Sequence, residues 1–226
     1  VEDITSICGG LNINIGTLNK NTIPSMFLAG KKANELGHIV LLDPVGAGAS
    51  RLRTDTANRL MQEVRFDAVR GNISEIKTLC TGSGSTKGVD ADAVDAVTEA
   101  NLDDGVQLVK TFAQRAGCIV AVTGAIDLVS DGERCWCIRN GRAEMSRITG
   151  TGCQLSALMT AFLVANPDHK LAAAAAAVCM MGLAGEIGWA NMQPGDGNST
   201  YRNRIIDAIF NMTGDALEKG AKYELR

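Results

Sequence analysis

Ile148-Thr149-Gly150-Thr151-Gly152-Cys153-Gln154-Leu155-Ser156-Ala157-Leu158 is the stretch that decides the fold. A polar, glycine-rich turn runs directly into a helix whose apolar residues Leu155, Leu158, Ala161, Phe162 and Ala165 recur at helical spacing, which predicts a buried stripe. Burial of that stripe fixes the first turn, where the backbone N–H groups have no acceptor within the helix and the dipole is positive. Gly150 and Gly152 carry no Cβ to obstruct an approaching anion. Cys153 stands at the same terminus. A lone thiol is by default a small buried group, and with no histidine nearby in sequence a Cys–His nucleophile is unsupported.

Upstream of this turn, strand and helix patterns alternate. Leu11 to Ile15 alternates apolar residues with asparagine and ends at Gly16-Thr17, a strand running into a turn. Pro24 to Leu36 is helical and stops at Gly37. The continuous apolar run Ile39 to Leu42 predicts a strand covered on both faces, ending in Asp43-Pro44. Thr54 is positioned to cap a helix carrying Ala57, Leu60, Met61 and Val64. Ala68-Val69 is a short strand leading to Arg70-Gly71-Asn72, and a helix follows with Ile73, Ile76 and Leu79 on one face. Thr81 to Gly88 forms a Gly/Ser loop, and Leu102 to Ala116 a further helix. Cys118 to Val122 is a buried strand ending at Thr123-Gly124. Leu128 to Ser130 and Cys135 to Ile138 form a hairpin around Asp131-Gly132. A strand over Ala143 to Ile148 is expected to enter the opening turn, with three long helices after it. This alternation predicts an α/β sandwich on a mostly parallel sheet, in which ligands bind beyond the carboxyl ends of the strands. Neither a linker nor a repeat divides the 226 residues, which suffice for one large domain.

Composition narrows the function. A net charge of −3 argues against a nucleic-acid partner. The seven cysteines, with no secretory pattern at the start, read as reduced thiols of a cytoplasmic protein. Cys135 and Cys137 flank Trp136, but no second pair lies at zinc spacing. The uncharged run Leu171 to Gly185 is shorter than the roughly 20 residues needed to span a bilayer and reads as a buried helix, with no membrane role. His38 and His169 lie away from every motif.

Two carboxylates and one arginine fall at strand ends. Asp43 either ends its strand by organising a turn or lies near a metal-bound phosphate. Asn72-Ile73-Ser74-Glu75 has the form of a capping box, with Glu75 reaching back to its N-cap. Alternatively Glu75 faces Mg²⁺, which takes few carboxylates and many waters. Arg70 is a solvated charge or a bidentate phosphate ligand. Gly46-Ala47-Gly48 is not a dinucleotide fingerprint, because position 51 is Arg, and Gly82 to Gly88 with Lys87 does not match the P-loop pattern. An anion cradle, metal-side carboxylates and an arginine at one sheet edge are the needs of phosphoryl transfer.

Asp43-Pro44-Val45-Gly46-Ala47-Gly48, Arg70-Gly71-Asn72 with Glu75-Ile76, Val122-Thr123-Gly124 and Thr149-Gly150-Thr151-Gly152-Cys153 occur in that order over essentially the whole chain. In this combination the sequence resembles the hydroxyethylthiazole kinases of the ribokinase-like superfamily. The resemblance implies a single ribokinase-like domain over residues 1–226, a three-layer α/β/α sandwich. It also implies ATP- and Mg²⁺-dependent phosphorylation of 4-methyl-5-(2-hydroxyethyl)thiazole in thiamine salvage. By the family pattern Arg70, Asn72 and Thr123 serve ATP, and Asp43 and Glu75 serve the metal and phosphate. Gly150 lies at the thiazole, and Gly150, Thr151, Gly152 and Cys153 form the anion hole. Cys153 stands where most ribokinase-like kinases carry a catalytic Asp. A homotrimer with the thiazole site between subunits is implied as well. The family also has a preceding segment, with a first strand, an Asn and a Met at the thiazole, that cannot be placed in this sequence. The turn Gly195-Asp196-Gly197-Asn198 is longer than the family's usual version. A hydroxymethylpyrimidine kinase or an ADP-dependent hydrate dehydratase would share the fold but carry Asp at position 153. A non-catalytic nucleotide-binding module would lose Glu75 or Arg70.

Overall fold

The computed structural model describes residues 1–81 and 96–226. The Gly/Ser loop expected from Thr81 to Gly88 lies outside the described residues except for Thr81, which ends a helix. In chain order the elements are α1 (Glu2–Ile7), β1 (Gly10–Asn14), α2 (Thr22–Leu36), β2 (Ile39–Asp43), α3 (Arg51–Glu63), β3 (Ala68–Asn72), α4 (Ile73–Thr81) and α5 (Leu102–Ala116). There follow β4 (Ile119–Thr123), β5 (Asp127–Ser130), β6 (Cys135–Ile138), α6 (Thr151–Ala165), α7 (Lys170–Ala190), α8 (Asn198–Asn211), α9 (Gly214–Gly220) and β7 (Tyr223–Leu225).

Among the described residues seven strands form one sheet in the order β1 to β7. The expected parallel character holds for β1 through β4. From β4 onward the pairing turns antiparallel, and β7 returns the end of the chain to β6. The sheet is therefore mixed, with its parallel half formed by the strand–helix units and its antiparallel half by the β5–β6 hairpin and β7. Tyr223 to Leu225 is too short a segment to alternate recognisably, and it is held as a strand by its pairing with β6.

The period of two along the strands sorts the side chains into two cores. Val40 and Leu42 of β2, with Val120 and Val122 of β4, enter a core shared with residues of α2, α3, α4 and α5. Ile39 and Leu41, with Ile119 and Ala121, enter the opposite core, shared with residues of α6, α7 and α8. Helices cover the sheet on both sides, giving the expected three layers. The uncharged run from Leu171 to Gly185 forms most of the buried face of α7.

Several local expectations differ from the structure. Ala143 to Arg147 is a 3-10 turn rather than a strand. Met145 N–H donates to the Arg142 carbonyl and Ile148 N–H to the Met145 carbonyl, each at 3.1 Å, while the Met145 side chain lies against Gly185 of α7. The cap of α3 is Ser50, whose Oγ accepts the Arg53 N–H at 3.3 Å. Thr54 lies one turn further on and accepts the Gly48 N–H at 2.9 Å. In α6 the buried residues are Leu155, Ser156, Met159, Thr160 and Leu163, whereas Ala161 and Ala165 are exposed. The helix is apolar on most sides, so hydropathy did not define its inner face. Ser156 and Thr160 can be buried because their hydroxyls are bonded.

Candidate active site

The same parity that builds the cores builds the site. Asp43 and Thr123 continue the α6-side alternation of Ile39–Leu41 and Ile119–Ala121, and Arg70 follows Ala68 on that face. Asn14, next to Ile13 of the opposite core, points the same way. Parallel register places Asn14 beside Asp43, and Asn72 beside Thr123. Four adjacent carboxyl ends thus present polar side chains beneath the start of α6.

That start is an open turn. Gly150 has φ +97°, and a Cβ there would meet nothing within 4 Å. Gln154 N–H makes the bond to the Gly150 carbonyl at 2.9 Å, so the amides of Thr151, Gly152 and Cys153 precede the first intrahelical bond. No side chain caps the helix. Arg70 closes one side of the turn: a Cβ on Gly152 would lie 2.6 Å from Arg70 Nη1. The absence of a side chain at Gly152 is what lets the guanidinium reach the helix terminus. Cys153 is exposed, contrary to the default of a buried thiol.

Arg70 is held in place. Its Nη2 donates to Thr123 Oγ1 at 2.6 Å, its Nη1 lies 3.7 Å from Asp43 Oδ1, and the side chain is 11% exposed. It is an oriented charge rather than a solvated one. Asp43 is wholly buried. Its Oδ2 accepts from Asn14 Nδ2 and Ser156 Oγ, each at 2.8 Å, while Oδ1 has no hydrogen-bond partner among the described residues. Burial pushes its pKa up, opposed by Arg70 and the two hydrogen bonds. A buried carboxylate oxygen without a donor suits a cation, so this residue fits the implied metal.

Glu75 completes the capping box. Its Oε2 accepts the Asn72 N–H at 2.8 Å, and Asn72 Oδ1 accepts the Glu75 N–H at 2.9 Å. Its Oε1 accepts the Gly46 N–H at 2.7 Å, which ties the turn after β2 to the start of α4. Burial raises its pKa against these two amides. Each oxygen retains a second lone pair, so the capping geometry does not preclude a bond to a metal-bound water. Among the described residues no three His, Cys, Asp or Glu side chains cluster as a metal cage. Magnesium is commonly held by one or two carboxylates plus substrate phosphates.

Three residues of this region carry no motif in the sequence. Asn14 bridges Asp43 and Cys153, donating to Sγ at 3.2 Å. Ser156, one turn into α6, holds Asp43 from above. Asp127 accepts the Gly124 N–H at 2.8 Å; although the residue is only half-buried, protein crowded around its carboxyl desolvates it and raises its pKa to about 7 despite that bond and the Arg70 charge. The alternation of Asn12 and Asn14 with Leu11 and Ile13 is the one signal that could have found Asn14. Ser156 and Asp127 offer none.

Comparison with known proteins shows the family. The sequence profile of the hydroxyethylthiazole kinase family matches residues 1–215. The hydroxyethylthiazole kinase of Clostridium acetobutylicum is 54% identical over 99% of this chain and 82% of its own length. That of Clostridium beijerinckii is 46% identical over 98% and 79%. Among solved structures, the hydroxyethylthiazole kinase of Pyrococcus horikoshii superposes with a TM-score of 0.85 at 30% identity, covering all of this chain and 80% of the other. The ADP complex of Staphylococcus aureus pyridoxal kinase, at 16% identity and a TM-score of 0.61, shares the fold. The chain belongs to the hydroxyethylthiazole kinase family.

Proposed function

We propose that this chain transfers the terminal phosphoryl group of ATP to the hydroxyl of 4-methyl-5-(2-hydroxyethyl)thiazole at the crevice between β2–β4 and the start of α6. The observation that carries the site assignment is the approach of Arg70 to the helix terminus at Gly152, beside Asp43 Oδ1, which accepts no hydrogen bond among the described residues. One fixed cation and a set of free amides face the same small space. Such a space stabilises charge on a phosphoryl group in transfer, where positioning and electrostatics do most of the work.

The residues divide the task. Arg70, steadied by Thr123, binds phosphate oxygens, and Asn72 lies beside Thr123 at the same sheet edge. The amides of Thr151, Gly152 and Cys153 receive the transferred group, and the open face of Gly150 leaves room for the thiazole. Asp43 and, through water, Glu75 would hold Mg²⁺, which neutralises charge on the phosphates when bound. Cys153 is beside the hydroxyl to be phosphorylated and assists loss of its proton. The alcohol need not lose that proton early in a loose transition state, so we assign Cys153 the low end of the usual general-base contribution of about 10²–10⁴-fold. Phosphate passes directly to the alcohol, with no intermediate on sulfur.

Cys153→Ala tests this division. Turnover is expected to fall about a hundredfold while ATP affinity is retained. A folded, ATP-binding variant with full activity would remove Cys153 from the reaction, and a phosphorylated Cys153 trapped in the wild type would replace direct transfer. We further propose a cytoplasmic homotrimer with the thiazole site at the subunit boundary.

A further inference from the structure

Asn14 lies at the end of β1, outside every motif that marks the site. Its side chain is nonetheless fully committed. Oδ1 accepts the Gly16 N–H at 2.8 Å, which fixes which way the amide faces. Reversing it would set two donors against each other at Gly16 and an oxygen against the Asp43 carboxylate. In the observed orientation the two Nδ2 hydrogens go to Asp43 Oδ2 at 2.8 Å and Cys153 Sγ at 3.2 Å. One short side chain therefore joins β1, the end of β2 and the first turn of α6.

We propose that Asn14 is a positioning residue for Cys153, fixing the sulfur as a hydrogen-bond acceptor so that a free lone pair on it faces the substrate hydroxyl and takes its proton. This rests on the reading of Cys153 given above. The two bonds of Nδ2 are not equivalent. Asp43 Oδ2 keeps a second donor in Ser156 Oγ if Asn14 is lost. Among the described residues, the hydrogen bond to Sγ comes from Asn14. An exposed thiol without that bond is free to change rotamer at a helix terminus that holds nothing else on it. The consequence of removing Asn14 therefore runs mainly through Cys153.

A double-mutant cycle on the purified enzyme tests this. Asn14→Ala, Cys153→Ala and the double variant are compared for kcat and for KM of ATP and of the thiazole alcohol. Asn14→Ala alone is expected to lower kcat about tenfold with KM for ATP nearly unchanged, and to have at most about a threefold further effect when Cys153 is already Ala. Effects that multiply fully, or an unchanged kcat for Asn14→Ala, would overturn the proposal. Loss of ATP affinity in place of kcat would also overturn it. Should Asn14→Ala not fold, Asn14→Ser keeps a hydroxyl acceptor for the Gly16 N–H while removing the amide donor to Sγ, and the same cycle is read with it. If Cys153→Ala alone is fully active, the reading of Cys153 has failed. The rotamer of Cys153 in a crystal structure of the Asn14 variant then decides the positioning: a single unchanged rotamer refutes it, and a redistributed one upholds it.

Discussion

Glu75 offers both carboxylate oxygens to backbone amides, at Gly46 and Asn72. Glu75→Gln can satisfy only one of them, because its NH₂ must face the other. We expect a loss of about 1–3 kcal/mol in stability from the orphaned amide, measured by denaturant unfolding. If Glu75 also serves Mg²⁺, turnover falls about tenfold or more and half-maximal activity needs more Mg²⁺. An unchanged Mg²⁺ dependence would leave Glu75 as a structural cap alone. Asp127 makes a prediction in pH. Its folded pKa, about 7, lies above the ordinary carboxylate value. The folded state therefore holds the proton more tightly, and the stability associated with it is present at low pH and is lost as pH rises towards and through 7. Asp127→Asn keeps an acceptor for Gly124 and removes the titration. Its melting temperature is expected to vary less than the wild type's between pH 4 and about 8, and to be at least as high above pH 7. A wild-type profile already flat over that range would contradict the shift.

The first turn of α6 was the most legible element in the sequence, since glycines at 150 and 152 directly before an apolar helix leave its first amides open to an anion. Their roles differ and can be separated. Gly150→Ala meets no atom but must hold φ +97°, so it is expected to cost about 1–2 kcal/mol of stability. Gly152→Ala has ordinary helical geometry but collides with the Arg70 guanidinium. It is expected to displace Arg70 from Thr123 at a cost of about 1 kcal/mol in stability and to raise KM for ATP about tenfold; unchanged kinetics would show that Arg70 is not needed at the helix terminus. What the sequence left illegible has physical causes. An apolar helix such as α6 does not announce its inner face, and Ser156 could not be placed over Asp43 without knowing that face. Ser50 and Thr54 are equally good caps on paper, and the choice depended on where Gly48 needed an acceptor. Ala143 to Ser146 alternates apolar and polar residues as a strand would, but the segment is short and its turn is set by contact of Met145 with α7.

At the scale of the molecule, one rule carries the site. The period of two that separates the cores also sends Asn14, Asp43, Arg70 and Thr123 to the face of the sheet that α6 covers. The alternating strands and helices made the parallel half readable, while β7 depended on pairing with a strand more than 80 residues earlier in the chain. The proposed trimer is read by sedimentation of the active enzyme, where a species of three chains is expected and activity in a monomer would exclude it. The central claim, that this crevice phosphorylates the thiazole alcohol, has a direct measurement. Purified protein is supplied with ATP and Mg²⁺, with and without 4-methyl-5-(2-hydroxyethyl)thiazole, and ADP and the phosphate ester are quantified together. ADP formation that depends on the alcohol, with one ester formed per ADP, is the predicted result. ADP released without the alcohol, or phosphorylation of hydroxymethylpyrimidine with the thiazole untouched, would contradict it.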